Sequence, residues 1–343
     1  MKSLYPLPKA SLRRCLVVLL WFISGGVPVL ANTGVIERGD YLHRPDVQAF
    51  IQSVSQQHAI PVEKLRRILA QARRQQAILD AISRPAEGKP WSQYRPIFVN
   101  PERIEKGVAF WNAHANELAR AEQVYGVPAE IVVGIIGVET FYGTRMGRYP
   151  VLDALVTLGF DYPPRGAFFR SQLEQLILLA DEEKLNPVGL LGSYAGAMGM
   201  GQFIPSSYRK FAVDFDGDGK RDLFHSAADA IGSVANYFKV HGWRNGQWII
   251  SPARVVGHGF EQLEANDRRP RYSPRELTMA GIFSSGPVAP DESLLYLRLN
   301  GEKGLEHWVG HHNFFVITEY NHSVKYALAV FQLAQAIKDR RKH

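Results

Sequence analysis

Apolar residues recur at helical spacing over most of the chain, and the places where that spacing fails mark its joints. From Pro45 to Ile82 the pattern predicts two helices, Asp46 to His58 and Pro61 to Ile82, with Leu65, Ile68, Leu69, Ile78, Leu79 and Ile82 on the inner face. Arginines cover the other face, which reads as solvated. A proline- and aromatic-rich linker, Arg84 to Pro101, carries Trp91, Tyr94 and Phe98 and leads into a helix over Glu102 to Tyr125. After His241 the pattern shortens. Residues 245 to 317 hold candidate strands, Leu294 to Leu299 and Phe314 to Thr318, between glycine and proline turns, and a last helix, Ser323 to Asp339, is expected to pack back on the core.

The centre of the chain breaks the amphipathic rule. Pro128 suits a first helical turn, Glu130 suits its positive end and Gly143 can stop it, yet Ile131, Val132, Val133, Ile135, Ile136 and Val138 leave almost no polar face. Such a helix is buried all round. Glu139 stands at its end, where desolvation disfavours the charged form and raises the pKa, as a general acid requires. A purely structural glutamate paired with Arg145 or Arg148 is the competing reading.

The N-terminal segment changes the charge argument. Lys2, Lys9, Arg13 and Arg14 precede the apolar run Cys15 to Ile23, and Val29-Leu30-Ala31 follows with small residues, the pattern of an export signal over residues 1 to 31. A retained membrane anchor is the alternative, opposed by Gly25, Gly26 and Pro28, which interrupt a short run. Without the segment's basic residues the formal charge falls from +7 to +3, too weak for nucleic acid and compatible with an anionic polymer. The only cysteine, Cys15, goes with it. That excludes disulfides, thiolate ligands and a cysteine nucleophile from the exported chain.

Downstream, SYAGAMGMGQFIPSSY (193 to 208) places Gly196, Gly199 and Gly201 where backbone can approach a ligand closely, with Gln202 able to donate and accept hydrogen bonds as sugars require. The loop Asp214, Asp216, Asp218, Gly219, Lys220, Asp222 has EF-hand spacing, with the Lys220 carbonyl at the seventh position, but His225 where a closing glutamate would stand. An acidic turn that binds nothing is the alternative.

GVETFYG, then SYAGAMGMGQFIPSSY, VDFDGDGKRDL and AIGSVANYFKVHGW, resemble the membrane-bound/soluble lytic murein transglycosylase B family (glycoside hydrolase family 103) over roughly residues 40 to 338. The resemblance implies a mainly α (α+β) fold. Its parts are a lysozyme-like helical core with an EF-hand-like calcium loop, a flanking helical domain and a small β-containing region. The implied boundaries are 32–100 for the N-terminal helical domain and linker, 101–243 for the catalytic core with its calcium loop at 214–229, 244–318 for the β-containing region and 319–343 for the C-terminal helix.

It further implies cleavage of the β-1,4 bond between N-acetylmuramic acid and N-acetylglucosamine. Glu139 would be the only catalytic carboxylate, first acid and then base, and the product would be a 1,6-anhydromuramoyl end. By motif position Ser193 would hydrogen-bond Glu139, Gln202 would contact sugar, and Tyr237, Tyr320, Asn321, Tyr326 and Tyr94 would line the cleft. Core packing is the alternative for each tyrosine. Asp229 would close the calcium site, as a late aspartate does in the family. Arg165 would meet a stem-peptide carboxylate, although one arginine stands where the family has a basic pair, and Phe168 where it has a tyrosine.

The expected enzyme is thus a periplasmic monomer acting on peptidoglycan strands, with structural calcium, no organic cofactor, other cell-wall enzymes as partners and a possible membrane association. A hydrolytic muramidase and a non-catalytic wall-binding module are the rivals. His311-His312 reads as a surface pair rather than a metal site.

Overall fold

The computed structural model describes residues 41–83 and 88–342; the expected export segment, residues 1 to 31, lies outside them. Helices α1 (Pro45–His58), α2 (Val62–Leu69), α3 (Gln76–Ile82), α4 (Trp91–Phe98), α5 (Pro101–Ala113), α6 (Ala115–Tyr125) and α7 (Ala129–Thr140) lead to the short strand β1 (Tyr149–Pro150). Helices α8 (Val151–Asp161) and α9 (Gly166–Glu182) precede strand β2 (Leu191–Gly192), which pairs antiparallel with β1. Then come α10 (Pro205–Phe211), α11 (Ala227–Val240), β3 (Ile250–Val255), α12 (Pro274–Met279), β4 (Ile282–Ser284), β5 (Leu295–Gly301), β6 (Gly304–Gly310), α13 (His312–Tyr320) and α14 (Val324–Lys342). The four longer strands form one antiparallel sheet in the order β4-β3-β6-β5. Among the described residues no single helix is long and apolar enough to cross a membrane.

The core forms around α7. Every residue of this helix is buried, and it is surrounded by α5, α6, α11 and α14. Its six aliphatic side chains from Ile131 to Val138 are fully shielded, which contributes on the order of 10 kcal/mol to folding. Helix α14 runs antiparallel along it. Lys338 Nζ donates to Glu130 Oε1 at 2.6 Å, a Cβ added at Gly134 would lie 3.0 Å from the Val330 carbonyl oxygen, and Tyr326 meets Glu139. The register is fixed by close backbone approach in the middle and a polar contact at each end.

Several elements differ from the sequence pattern, each for a tertiary reason. The expected helix Pro61 to Ile82 is two, because at its break the Arg73 and Gln75 amides donate to Asp153 Oδ1 and Thr157 Oγ1 of α8 at 2.9 and 3.2 Å. The linker contains α4, which buries Trp91, Tyr94 and Phe98. The helix expected over Glu102 to Tyr125 breaks at His114. The candidate strand Phe314 to Thr318 lies in α13, where Phe314, Val316, Ile317 and Thr318 are all buried; a short apolar run fits a buried helix as well as a strand.

Gly134→Val is expected to lower the stability of the protein by about 2 kcal/mol or more, read as a lower urea midpoint, because the α7–α14 contact leaves no room for a branched side chain.

Candidate active site

Helix α7 ends in unusual backbone. Phe141 and Tyr142 both take left-handed conformations (φ 51° and 60°) before Gly143 does, so the helix stops one turn earlier than its glycine. Strain of this kind costs about 1 kcal/mol or more per residue and is held here by specific bonds. Thr140 Oγ1 donates to the Met200 carbonyl at 2.8 Å and accepts from Gly143 N, while Tyr142 Oη donates to the Arg103 carbonyl at 2.7 Å. The buried Arg103 donates to the Gly137 carbonyl, and burial pushes its own pKa down to about 10. The end of α7 is thereby tied to the glycine-rich loop and to α5.

Glu139 is 3% exposed. Its Oε1 accepts from Tyr326 Oη at 2.5 Å, and its Oε2 has no partner among the described residues. Burial raises its pKa well above the ordinary carboxylate range, and the tyrosine bond offsets this only in part. Neither candidate arginine reaches it. Arg145 lies over the Phe141 ring at 4.6 Å and Arg148 over Tyr149 at 5.8 Å. An unpaired, buried carboxyl with one free oxygen is suited to giving up a proton to a bound group.

A wall of aromatic residues continues from this point. Tyr320 and Tyr326 have their own pKa values raised by burial and then by Glu139, which places both phenols beside the carboxyl. Tyr320 Oη donates to the Gly201 carbonyl at 2.5 Å, next to Gln202, and its ring meets that of Tyr237 at 4.8 Å. Tyr237 Oη donates to the Glu319 carbonyl, and its ring stacks on His241 at 3.9 Å. Tyr94 faces Tyr326, with Lys325 Nζ 5.7 Å from its ring. Asn321 is buried at the end of α13. Gln202, itself at φ 50°, donates its amide to the Met146 and Gly199 carbonyls at 3.0 Å each.

Other expected contacts fall elsewhere. Ser193 does not bond Glu139: its Oγ accepts from the Ala195 and Ala197 amides, closing the turn that carries Gly196, and Tyr326 takes the expected place. Arg165 lies over the Phe168 and Phe169 rings at 4.4 and 5.1 Å. His311 is not a surface residue, since it is 2% exposed and its Nδ1 meets Glu292 at 2.9 Å. The sequence reading missed the roles of Thr140 and Arg103 in fixing the end of α7; the threonine beside the glutamate in GVET was the available signal.

In the acidic loop, Asp214, Asp216 and Asp218 offer oxygens within 4.8 Å of one another. Asp229 does not join them. It is fully buried, with Oδ1 accepting from the Phe215 and Asp216 amides and Oδ2 from the Asp222 amide, so it staples the loop ends together. Asp222 likewise accepts from the Phe224 and His225 amides. The exposed Lys220 donates its amide to Asp218.

A profile described as the transglycosylase SLT domain matches residues 43–335. The chain is 43% identical over 325 residues to the membrane-bound lytic murein transglycosylase B of Escherichia coli K12, covering 92% of this chain and 89% of that protein. The catenated lytic transglycosylase SltB1 of Pseudomonas aeruginosa superposes with a TM-score of 0.85 at 50% identity, over 88% of this chain and all of that one. The lytic transglycosylase Slt35 of Escherichia coli, solved in complex with calcium, gives 0.83 at 43% identity, over 89% and 96%.

The two states of Glu139 have opposite effects on folding. With its folded pKa raised, the native state holds a proton that the unfolded chain releases above about pH 4.3, so this contribution is full in acid and is lost as pH rises. The stability of the wild type relative to Glu139→Gln should therefore fall by about 1 kcal/mol or more between pH 4 and 7, measured by urea unfolding across that range.

Proposed function

The chain belongs to the transglycosylase SLT domain family, and from that premise we propose that Glu139 is the acid and then the base of its reaction on peptidoglycan. It is a lytic murein transglycosylase. The observation that carries the residue assignment is the buried carboxyl that, among the described residues, bonds Tyr326 alone and leaves its second oxygen unbonded.

In the first step the protonated Glu139 gives its proton to the glycosidic oxygen between the muramoyl and glucosaminyl rings, and the C1–O bond breaks. In the second the carboxylate takes the proton of the muramoyl 6-hydroxyl, whose oxygen bonds to C1 with help from the 2-acetamido group. The product is a 1,6-anhydro ring, and Glu139 ends as it began. No water is consumed. A second carboxylate is unnecessary in this scheme, in which burial raises the pKa of Glu139 and the Tyr326 bond offsets that in part. Tyr326 steadies the carboxylate form between the steps. Because the hydroxyls of Tyr237 and Tyr320 are bonded to main-chain carbonyls, these residues would meet sugar through their rings, as would Tyr94. Gln202, Asn321 and Ser193 would supply polar contacts, and Arg165 a cation for a stem-peptide carboxylate.

Three carboxylates held within 4.8 Å repel one another unless a cation neutralises them, which fits calcium with Asp214, Asp216, Asp218 and the Lys220 carbonyl as ligands. Its role would be to hold the loop between α10 and α11. The export segment, residues 1 to 31, would deliver the protein to the periplasm.

Incubation with purified murein sacculi should release fragments whose anhydro ends are lighter than reducing ends by one water, about 18 Da, and Glu139→Gln should reduce release by roughly a thousandfold. Reducing ends in their place would identify a hydrolase. Millimolar calcium should raise the melting temperature of the wild type, with a gain near 2.7 kcal/mol at a hundredfold excess over Kd, and Asp216→Ala should abolish the increment.

A further inference from the structure

A cleft of about 850 Å³ opens between α4, the four-stranded sheet and α14. Its α14 residues Phe331, Gln332, Gln335 and Asp339 lie roughly 140° to 240° around the helix from Tyr326, at about 100° per residue. It therefore faces away from Glu139. At its mouth Trp248 is 54% exposed, unusual for the largest apolar side chain. Glu306 Oε2 accepts from both Trp91 and Trp308 indole N–H groups, at 3.0 and 3.3 Å, which fixes the two ring planes. Ser251 also lines the cleft; it is 2% exposed and its Oγ has no partner among the described residues.

Trp248 borders a second cleft of about 810 Å³ as well. There Glu292 holds His311 through Nδ1, and the buried Nε2 has no partner among the described residues. An exposed indole thus stands between two clefts, each with a buried polar atom waiting for a hydrogen bond. An unsatisfied buried group costs about 1–3 kcal/mol, so the natural occupant brings hydroxyl or amide groups to both. Apolar helices do not. A strongly charged ligand is disfavoured too, because the two cations Arg95 and Lys303 stand among the three carboxylates Glu302, Glu306 and Asp339 at the first cleft, which leaves a net charge of only −1. Flat rings with apolar faces and hydroxyl edges satisfy all three conditions.

We infer that the surface centred on Trp248 binds a stretch of glycan separate from the one being cleaved, so that the enzyme is held on its insoluble substrate by a second contact. The inference rests on the peptidoglycan reading above. In the Glu139→Gln background, which prevents turnover, titration with an N-acetylglucosamine tetramer should lose one class of site, or weaken it about tenfold, on Trp248→Ala. Ser251→Ala, a nearly isosteric change, should weaken the same class. With Glu139 intact, Trp248→Ala should cleave a short soluble muropeptide at the wild-type rate and release sacculus fragments several-fold more slowly. Unchanged binding in both variants, or equal losses on soluble and insoluble substrates, would overturn the proposal. A wild type that cleaves neither substrate would instead refute the proposed function and leave the tetramer titration to decide this one.

Discussion

The antiparallel contact between α7 and α14 is the constraint on which the site depends. Gly134 lets the two backbones approach, the Glu130–Lys338 pair fixes one end of the register, and the other end brings Tyr326 to Glu139. A glutamate at the end of a wholly buried helix would otherwise be a destabilising feature. Here the aliphatic burial along α7, on the order of 10 kcal/mol, exceeds the cost of about 1–3 kcal/mol for a neutral acid with one satisfied oxygen. The same burial that costs stability favours the protonated form.

Strain at the end of α7 belongs to the same arrangement. Two non-glycine residues in the left-handed region turn the chain sharply after Thr140, and the threonine hydroxyl links this turn to Met200 in the glycine-rich loop. Tyr320 reaches the same loop at Gly201. The carboxyl, the loop and the tyrosines are therefore parts of one rigid assembly, and a change at any of them would move the acid relative to a bound sugar.

Much of this could be read from the sequence. The unbroken apolar run of α7, the lone glutamate at its end and the aspartate spacing of the loop are local patterns, while the fold class and family came from the resemblance carried by GVETFYG and SYAGAMGMGQFIPSSY. What could not be read was set by contacts between distant segments. The break between α2 and α3 depends on Asp153 and Thr157 some eighty residues away, and the helical state of Phe314 to Thr318 depends on burial that a strand could equally have had. Tyr326 was named as a cleft residue, but its bond to Glu139 spans 187 positions, and Ser193 was assigned that contact in its place. Asp229 was expected at the metal, whereas three backbone amides hold it inside the loop.

The central claim is that Glu139 is protonated at neutral pH, and the infrared difference spectrum between wild type and Glu139→Gln tests it most directly. At pH 7 the account predicts a carbonyl stretch of a neutral carboxylic acid, present in the wild type, absent in the variant and shifted by isotopic labelling of glutamate. A carboxylate band in its place at pH 7 would contradict it, because burial beside Tyr326 would then have failed to hold the proton.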